Sequence, residues 1–169
     1  MSSRDGLHFD RSFMEAFIRP GLDFGNWHDR GIYCEVGILE TADGELSIYG
    51  MENAHLETQR IRRYTLRTDG FVSVRAGYAG GYFTTPPLVC GGNELELNYA
   101  TSAVGSVRVE VQDLAGNTLG RSDERYGDEI EGVLRWDGDF DPGLLREEPV
   151  RLQFMLKDAD LYAFKFRQS

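Results

Sequence analysis

The sequence predicts an all-β protein, chiefly an antiparallel β-sandwich of the jelly-roll type that follows a β-hairpin or small sheet. Apolar and polar residues alternate in several runs; Leu95, Leu97 and Tyr99, for example, are separated by Glu96 and Asn98. A period of two with β-branched and aromatic residues is typical of a half-buried antiparallel strand. Turn-forming residues recur at intervals of about 8 to 12 residues, as in sandwiches, barrels and propellers.

The first part of the chain predicts three strands, at residues 32–39, 45–49 and 60–67. Asp43-Gly44 lies between the first two, and an Asp-Gly pair between alternating runs is a strong hairpin signal. Residues 12–18 leave two alternatives open, a short helical turn that Pro20 ends or a strand. The β-rich remainder of the chain favours the strand.

The rest of the chain predicts further strands, at residues 71–76, 82–85, 88–90, 95–99, 107–111, 150–156 and 161–166. The last of these runs places Tyr162, Phe164 and Phe166 on one side. Loops rich in Trp, His and Asp give way to regular strands at residues 58–64. This change predicts two segments, 1–58 and 59–169.

The net charge disfavours some classes of binding partner, and the apolar runs bear on where in the cell the protein is found. The chain has 169 residues, a formal net charge of -10 and a pI near 4.7. Nucleic acids and anionic membranes would be repelled, so we expect neither as a partner. No apolar run approaches the roughly 18 residues of a membrane span, and the first residues lack the apolar centre of a signal peptide. The location therefore stays open: the cytoplasm, or a fragment whose targeting segment lies upstream.

Two cysteines, Cys34 and Cys90, lie far apart in apolar runs. They form no CxxC pair and have no neighbouring histidine, which makes a zinc site a poor interpretation. We expect them to be small buried hydrophobic residues, with a disulfide only in an oxidising compartment.

Several longer motifs resemble the C-terminal part of bacterial proteins labelled glycoside hydrolase family 32-like or 43-like. They are EAFIRPG from Glu15, NWHDR from Asn26, RRYTLRTDGFVSV from Arg62, LNYATSA from Leu97, GSVRVEVQD from Gly105 and KDADLYAF from Lys157. In those proteins a five-bladed β-propeller precedes a β-sandwich. The resemblance implies that residues up to about 58 are similar to one closing propeller blade and that the sandwich follows.

The same resemblance implies no catalytic residue in this chain. In propeller glycosidases the nucleophile, the stabilising Asp and the general acid come from early blades, and this sequence has no counterpart of those blades. One loop of the sandwich, at residues 117–126, is also shorter than in the family.

A candidate sugar site lies in the blade-like part of the sequence. Trp27, His28 and Arg30 combine an aromatic platform with planar polar groups. Tyr49, Glu52 and His55 follow later in the sequence, and in a propeller blade they would reach the same rim. Sugar sites use both kinds of group. The alternative is that Trp27 packs under the sheet while Arg30 pairs with a nearby acid, since tryptophan is highly buried on average.

A candidate calcium loop contains Asp137, Asp139 and Asp141, with oxygen ligands at every second position. It lacks the bidentate glutamate that completes an EF-hand. The alternative is a solvated acidic turn, and we expect no other cofactor.

These observations predict a non-catalytic β-sandwich module of a glycoside hydrolase-like protein, which either binds carbohydrate or has a structural, associating role. Unpaired strand edges of a single blade are sites of association, so we expect a homo-oligomer or a missing propeller domain as partner. The competing hypothesis is a glycosidase whose active site is completed by oligomerisation or by missing blades.

Overall fold

The computed structural model describes residues 1–3, 5–12, 14–29, 31–145 and 148–168, and it shows an all-β protein. Within these residues the only helices are two 3₁₀ turns, Phe24–Trp27 and Pro142–Leu145, and no helix is long and apolar enough to cross a membrane. The chain divides into two compact units, Met1–Leu66 and Arg67–Ser169, here called the N-terminal and C-terminal units.

The N-terminal unit contains a four-stranded sheet arranged around its third strand. Its strands are β1 (Tyr33–Cys34), β2 (Leu39–Ala42), β3 (Glu45–Glu52) and β4 (Arg60–Arg67). β1 and β2 pair antiparallel with different stretches of β3, and β4 also pairs with β3. This pairing keeps nearly all of β4 in the N-terminal unit, so the unit ends after Leu66, whereas the sequence placed a boundary after residue 58.

Two local features of this unit differ from the sequence-based expectation. The strand expected at residues 32–39 is divided into β1 and the start of β2, because Gly37 between them has a φ of 108° that no regular strand allows. The segment 14–18 forms neither a helix nor a strand, so the strand favoured there was wrong; Phe13 lies outside the described residues.

The C-terminal unit is a seven-stranded antiparallel sheet organised by two strands of 19 residues each. Its strands are β5 (Val74–Ala76), β6 (Gly81–Thr84), β7 (Leu88–Val89), β8 (Glu94–Gln112), β9 (Thr118–Arg121), β10 (Asp128–Val133) and β11 (Pro149–Arg167). β8 and β11 pair from Arg151 opposite Gln112 to Arg167 opposite Glu94. β9 and β10 pair with β8, and β5, β6 and β7 pair with β11.

β8 and β11 are continuous where the sequence predicted two separate strands for each. β11 contains register shifts between Lys157 and Ala159 and between Leu161 and Ala163. At the first shift Asp158 has a φ of 41°, and its carbonyl oxygen lies so close to Gly105 that an added Cβ would overlap it. A bulge of this kind bends a strand without ending it.

Both halves of these long strands contribute to one hydrophobic core, and the sheet is not closed into a barrel. The alternation predicted from the sequence is confirmed, because every second residue is buried: Leu95, Leu97, Tyr99, Val107, Val109, Val111, Val150, Leu152, Phe154 and Leu156. The Phe154 ring stacks on Phe83 with centroids 5.0 Å apart. The predicted all-β, sandwich-type fold is therefore confirmed.

Candidate functional site

Trp27 lies at the end of the first 3₁₀ helix, in a loop of the N-terminal unit. Asp23 caps this helix by accepting a hydrogen bond from the Gly25 N–H at 3.1 Å. The Trp27 indole Nε1 donates a hydrogen bond to the Gly21 carbonyl oxygen at 3.0 Å. Trp27 is nevertheless 53% exposed. The loop therefore holds an aromatic ring in one orientation and leaves much of its surface open.

A buried asparagine joins this loop to the turn between β3 and β4. Asn26 is 3% exposed; its Oδ1 accepts a hydrogen bond from the Asn53 N–H at 2.8 Å, and its Nδ2 donates to the Pro20 carbonyl at 2.9 Å. A Cβ on Gly25 would overlap the Asn53 carboxamide, so a larger residue there would force the Asn53 side chain to shift. This contact has no local signal in the sequence, because the two asparagines are 27 positions apart.

His28 lies next to a carboxylate that also faces a second histidine. Asp29 places one oxygen 4.0 Å from the His28 Nε2 and the other 3.5 Å from the His55 Nε2. The His55 ring meets Tyr33 edge to face, with centroids 6.1 Å apart. We call Trp27, His28, Asp29, Tyr33 and His55 the aromatic rim. Arg30, also predicted for this site, lies outside the described residues.

Glu52 is buried, and its carboxylate is engaged by neighbours in the sheet. Oε2 lies 2.9 Å from the Arg60 Nε, 2.8 Å from the Arg60 Nη2 and 3.0 Å from the Arg62 Nε. Tyr64 donates its hydroxyl to Oε1 at 3.0 Å. Burial, and then the hydrogen bond to this carboxylate, raise the pKa of Tyr64 to about 12. Glu52 therefore links β3 to β4 through these contacts and does not present a free carboxylate to a ligand.

The same arginine extends this network to the loop that carries Trp27. Arg60 donates from Nη2 to the Asp23 carboxylate at 2.6 Å, and this hydrogen bond, with that from Gly25, lowers the pKa of Asp23. One guanidinium thus connects the cap of the 3₁₀ helix to β3. The roles of Asp23 and Arg60 were not predicted from the sequence. The one local signal was an Asp at a position where it can cap a helix.

Tyr49 does not join Glu52 in the structure. The two residues are three positions apart on β3, and successive side chains of a strand point to opposite faces. Tyr49 is half-buried, and its backbone carbonyl accepts a hydrogen bond from the Glu35 N–H at 2.8 Å. Of the predicted sugar-site residues, Trp27 and His28 are therefore exposed neighbours, whereas Tyr49 and Glu52 lie on opposite sides of the sheet.

The three aspartates of the candidate calcium loop precede the second 3₁₀ helix. Asp141 accepts a hydrogen bond from the Gly143 N–H at 2.7 Å, as expected for a capping residue. The Asp137 N–H donates to the Arg121 carbonyl at 2.8 Å. Across the described ranges, no group of three His, Cys, Asp or Glu side chains is placed to hold a metal ion. Calcium binding by Asp137, Asp139 and Asp141 stays a prediction.

Both cysteines are free thiols in the structure. Cys90 is 2% exposed, and burial raises the pKa of its thiol. The expectation of a small buried hydrophobic residue is confirmed for Cys90 and wrong for Cys34, which is exposed on β1.

No protein-family model, curated protein or solved structure matches this chain. The resemblance to glycoside hydrolase family 32-like and 43-like proteins therefore stays a hypothesis based on sequence motifs. Function has to be inferred from the arrangement of the residues themselves.

Proposed function

We propose that this protein is a non-catalytic module of a glycoside hydrolase-like protein and that it binds carbohydrate at the aromatic rim. The observation that carries this proposal is the exposed Trp27 ring, whose orientation the Gly21 carbonyl fixes. A tryptophan usually gains by burying its large apolar surface. An indole that is held in place yet open offers a preorganised platform for the C–H face of a sugar ring, at little cost in side-chain entropy.

The polar members of the rim supply groups for the sugar hydroxyls. Asp29 accepts hydrogen bonds, and the imidazole nitrogens of His28 and His55 offer further hydrogen-bonding positions. These side chains are 28%, 59% and 72% exposed, so a bound sugar would keep much of its hydration. One stacking contact and a few exposed hydrogen bonds suit weak binding, with a Kd on the order of 1 mM.

The competing hypothesis of a glycosidase requires two carboxyl groups about 5 to 9.5 Å apart across a cleft. The rim offers Asp29, and the other acid predicted for this site, Glu52, is already engaged by two arginines and Tyr64. This arrangement favours binding over catalysis. Hydrolysis of a bound glycan by the purified chain, alone or as an oligomer, would instead support the glycosidase.

A glycan-array screen of the full chain tests the proposal, with Trp27→Ala as the diagnostic variant and Phe24→Ala as the matched control. Phe24 lies in the same 3₁₀ helix and is 90% exposed, so its loss perturbs the loop similarly without removing the platform. We expect the wild type and Phe24→Ala to bind the same glycans and Trp27→Ala to bind about tenfold more weakly, a loss of about 1.4 kcal/mol. Equal loss in both variants, or no binding by the wild type, would contradict the proposal.

An associating role is the second candidate, because the N-terminal unit exposes many large apolar side chains. These are Leu22, Phe24, Val36, Ile38, Leu39 and Ile61, each at least half exposed. Exposed apolar surface on short strands marks sites of association. We propose a second copy of this chain or a further propeller domain as the partner, and the charge of -10 disfavours nucleic acids and anionic membranes.

Size-exclusion chromatography with light scattering tests this second role. Two copies of an acidic chain repel one another, so we expect apolar association to strengthen as salt screens the charge. An Ile61→Glu variant should then remain monomeric at every salt concentration. A wild-type chain that is monomeric at every salt and protein concentration would contradict self-association and leave a further propeller domain as the proposed partner.

A further inference from the structure

A groove in the C-terminal unit lies on the face of the sheet opposite the hydrophobic core. Its volume is about 120 Å³, and β8, β10, β11 and the turn after β4 contribute its walls. On this face Asn98 lies opposite Ala163, and Glu96 lies opposite Lys165. Although an outward face is normally solvated, Glu96 is 1% exposed and Asn98 is 4% exposed. We call this the β8–β11 groove.

The groove contains one buried acceptor that lacks a donor, the side-chain oxygen of Asn98. The Asn98 Nδ2 donates to the Thr68 carbonyl at 2.7 Å, whereas its Oδ1 accepts no hydrogen bond from any described residue. The Glu96 carboxylate is already paired with two cations: it lies 3.0 Å from the Lys165 Nζ and 2.6 Å from the Arg167 Nη1. Buried acceptors without partners cost free energy, and native proteins satisfy most of them. A ligand that donates a hydrogen bond to the Asn98 Oδ1 would remove this cost.

The ion pairs and the apolar side chains that line the groove indicate which class of ligand fits it. Lys165 bridges Glu96 and the exposed Glu131, at 3.0 and 2.9 Å, so the ammonium is already paired with carboxylates. Lys165 is paired and the free buried polar atom, the Asn98 Oδ1, is an acceptor, so an anion or a ligand that only accepts hydrogen bonds finds no unpaired cation among the described lining residues. Ile130 and Ala163 add apolar surface to the lining. A hydrogen-bond acceptor beside an apolar wall matches a ring that has hydroxyl groups at its edge and C–H groups on its face.

We propose that the β8–β11 groove binds one ring of a neutral, hydroxyl-rich ligand of the sugar or polyol class. A water molecule occupies about 30 Å³ of liquid, so the groove has room for several waters or for one small ring. The site lies in the C-terminal unit and is independent of the aromatic rim in the N-terminal unit. Its failure and the failure of the rim are therefore distinguishable by the position of the affected residues.

The test is a ¹⁵N NMR titration of the full chain with D-glucose, myo-inositol and, as a cationic probe, methylammonium chloride. We expect at least one hydroxyl-rich probe to cause saturable shifts centred on Thr68, Asn98, Ala163 and Lys165. Ala163→Leu fills the groove and should weaken this binding about tenfold, equivalent to about 1.4 kcal/mol. The matched control Ala103→Leu adds the same side chain at an exposed position of β8 and should bind as the wild type does.

Thr68→Val provides a second variant that keeps the side-chain shape while removing a hydroxyl from the groove lining. We expect weaker binding with an unchanged melting temperature. The proposal is overturned if no hydroxyl-rich probe gives saturable shifts in the groove, since water alone then fills it. Stronger binding of methylammonium than of either hydroxyl-rich probe, or equal binding by Ala163→Leu and the wild type, would overturn it as well.

Discussion

Replacing Glu52 with glutamine tests whether this buried carboxylate stabilises the N-terminal unit or serves a ligand. Glutamine preserves the side-chain volume but removes the charge that Arg60 and Arg62 contact. Removing one partner of a fully buried ion pair costs about 3 to 5 kcal/mol. These arginine side chains are 42% and 53% exposed and regain hydration, so we expect a smaller loss of about 2 kcal/mol.

Thermal unfolding followed by circular dichroism measures this loss. At about 2 to 4 °C per kcal/mol for a chain of this size, the Tm of the transition that includes the N-terminal unit should fall by about 4 to 8 °C. Glu57→Gln, an exposed position in the same turn, is the matched control and should leave the Tm unchanged. Glycan binding by Glu52→Gln should match that of the wild type. An unchanged Tm together with lost glycan binding would refute the reasoning and make Glu52 a ligand group.

Three further predictions concern stability and pH. Phe154→Ala should lower the free energy of unfolding by about 3 to 5 kcal/mol in urea denaturation, because the ring is fully buried; Tyr82→Ala, at a 74% exposed position of the neighbouring strand, should change it by less than about 0.5 kcal/mol. Phenolate absorbance should show Tyr64 ionising at about pH 12 rather than 10, and stability should fall as pH rises through this interval, since the folded state retains that proton longer. Gly105→Ala should unfold at a markedly lower urea concentration than the wild type, because its Cβ would overlap the Asp158 carbonyl oxygen. An unchanged midpoint would contradict this and show that the backbone of β11 moves away from the added methyl group at little cost.

The sequence predicted the core of the C-terminal unit well, because burial there follows strict alternation. Val107, Val109 and Val111 are all fully buried, as a period of two requires. The bulges could not be predicted in the same way. The shift between Leu161 and Ala163 places both Leu161, opposite Tyr99, and Phe164, opposite Leu97, on the core face, whereas alternation alone puts Leu161 and Phe164 on opposite faces. Such shifts depend on pairing with a strand distant in sequence.

The candidate site was predicted only where its residues are neighbours in the chain. Trp27 and His28 lie in one short motif, and the sequence identified both. His55 was expected near the rim only on the assumption of a propeller blade, and Tyr33 was missed, because a turn and a strand bring the two rings together across 22 positions. Glu52 was assigned to a ligand because its arginine and tyrosine partners on β4 carry no local sign of pairing. Hydrogen-bond partners across a sheet require the register, which alternation does not specify.

The most direct test of carbohydrate binding at the rim follows the Trp27 indole N–H resonance during titration with a glycan selected on the array. Trp136, partly buried against the core of the C-terminal unit, provides an internal reference. We predict a saturable shift of the Trp27 signal and a constant Trp136 signal. A Trp27 resonance that stays unchanged while the glycan binds elsewhere would contradict the account, because the exposed indole would then not be the sugar platform.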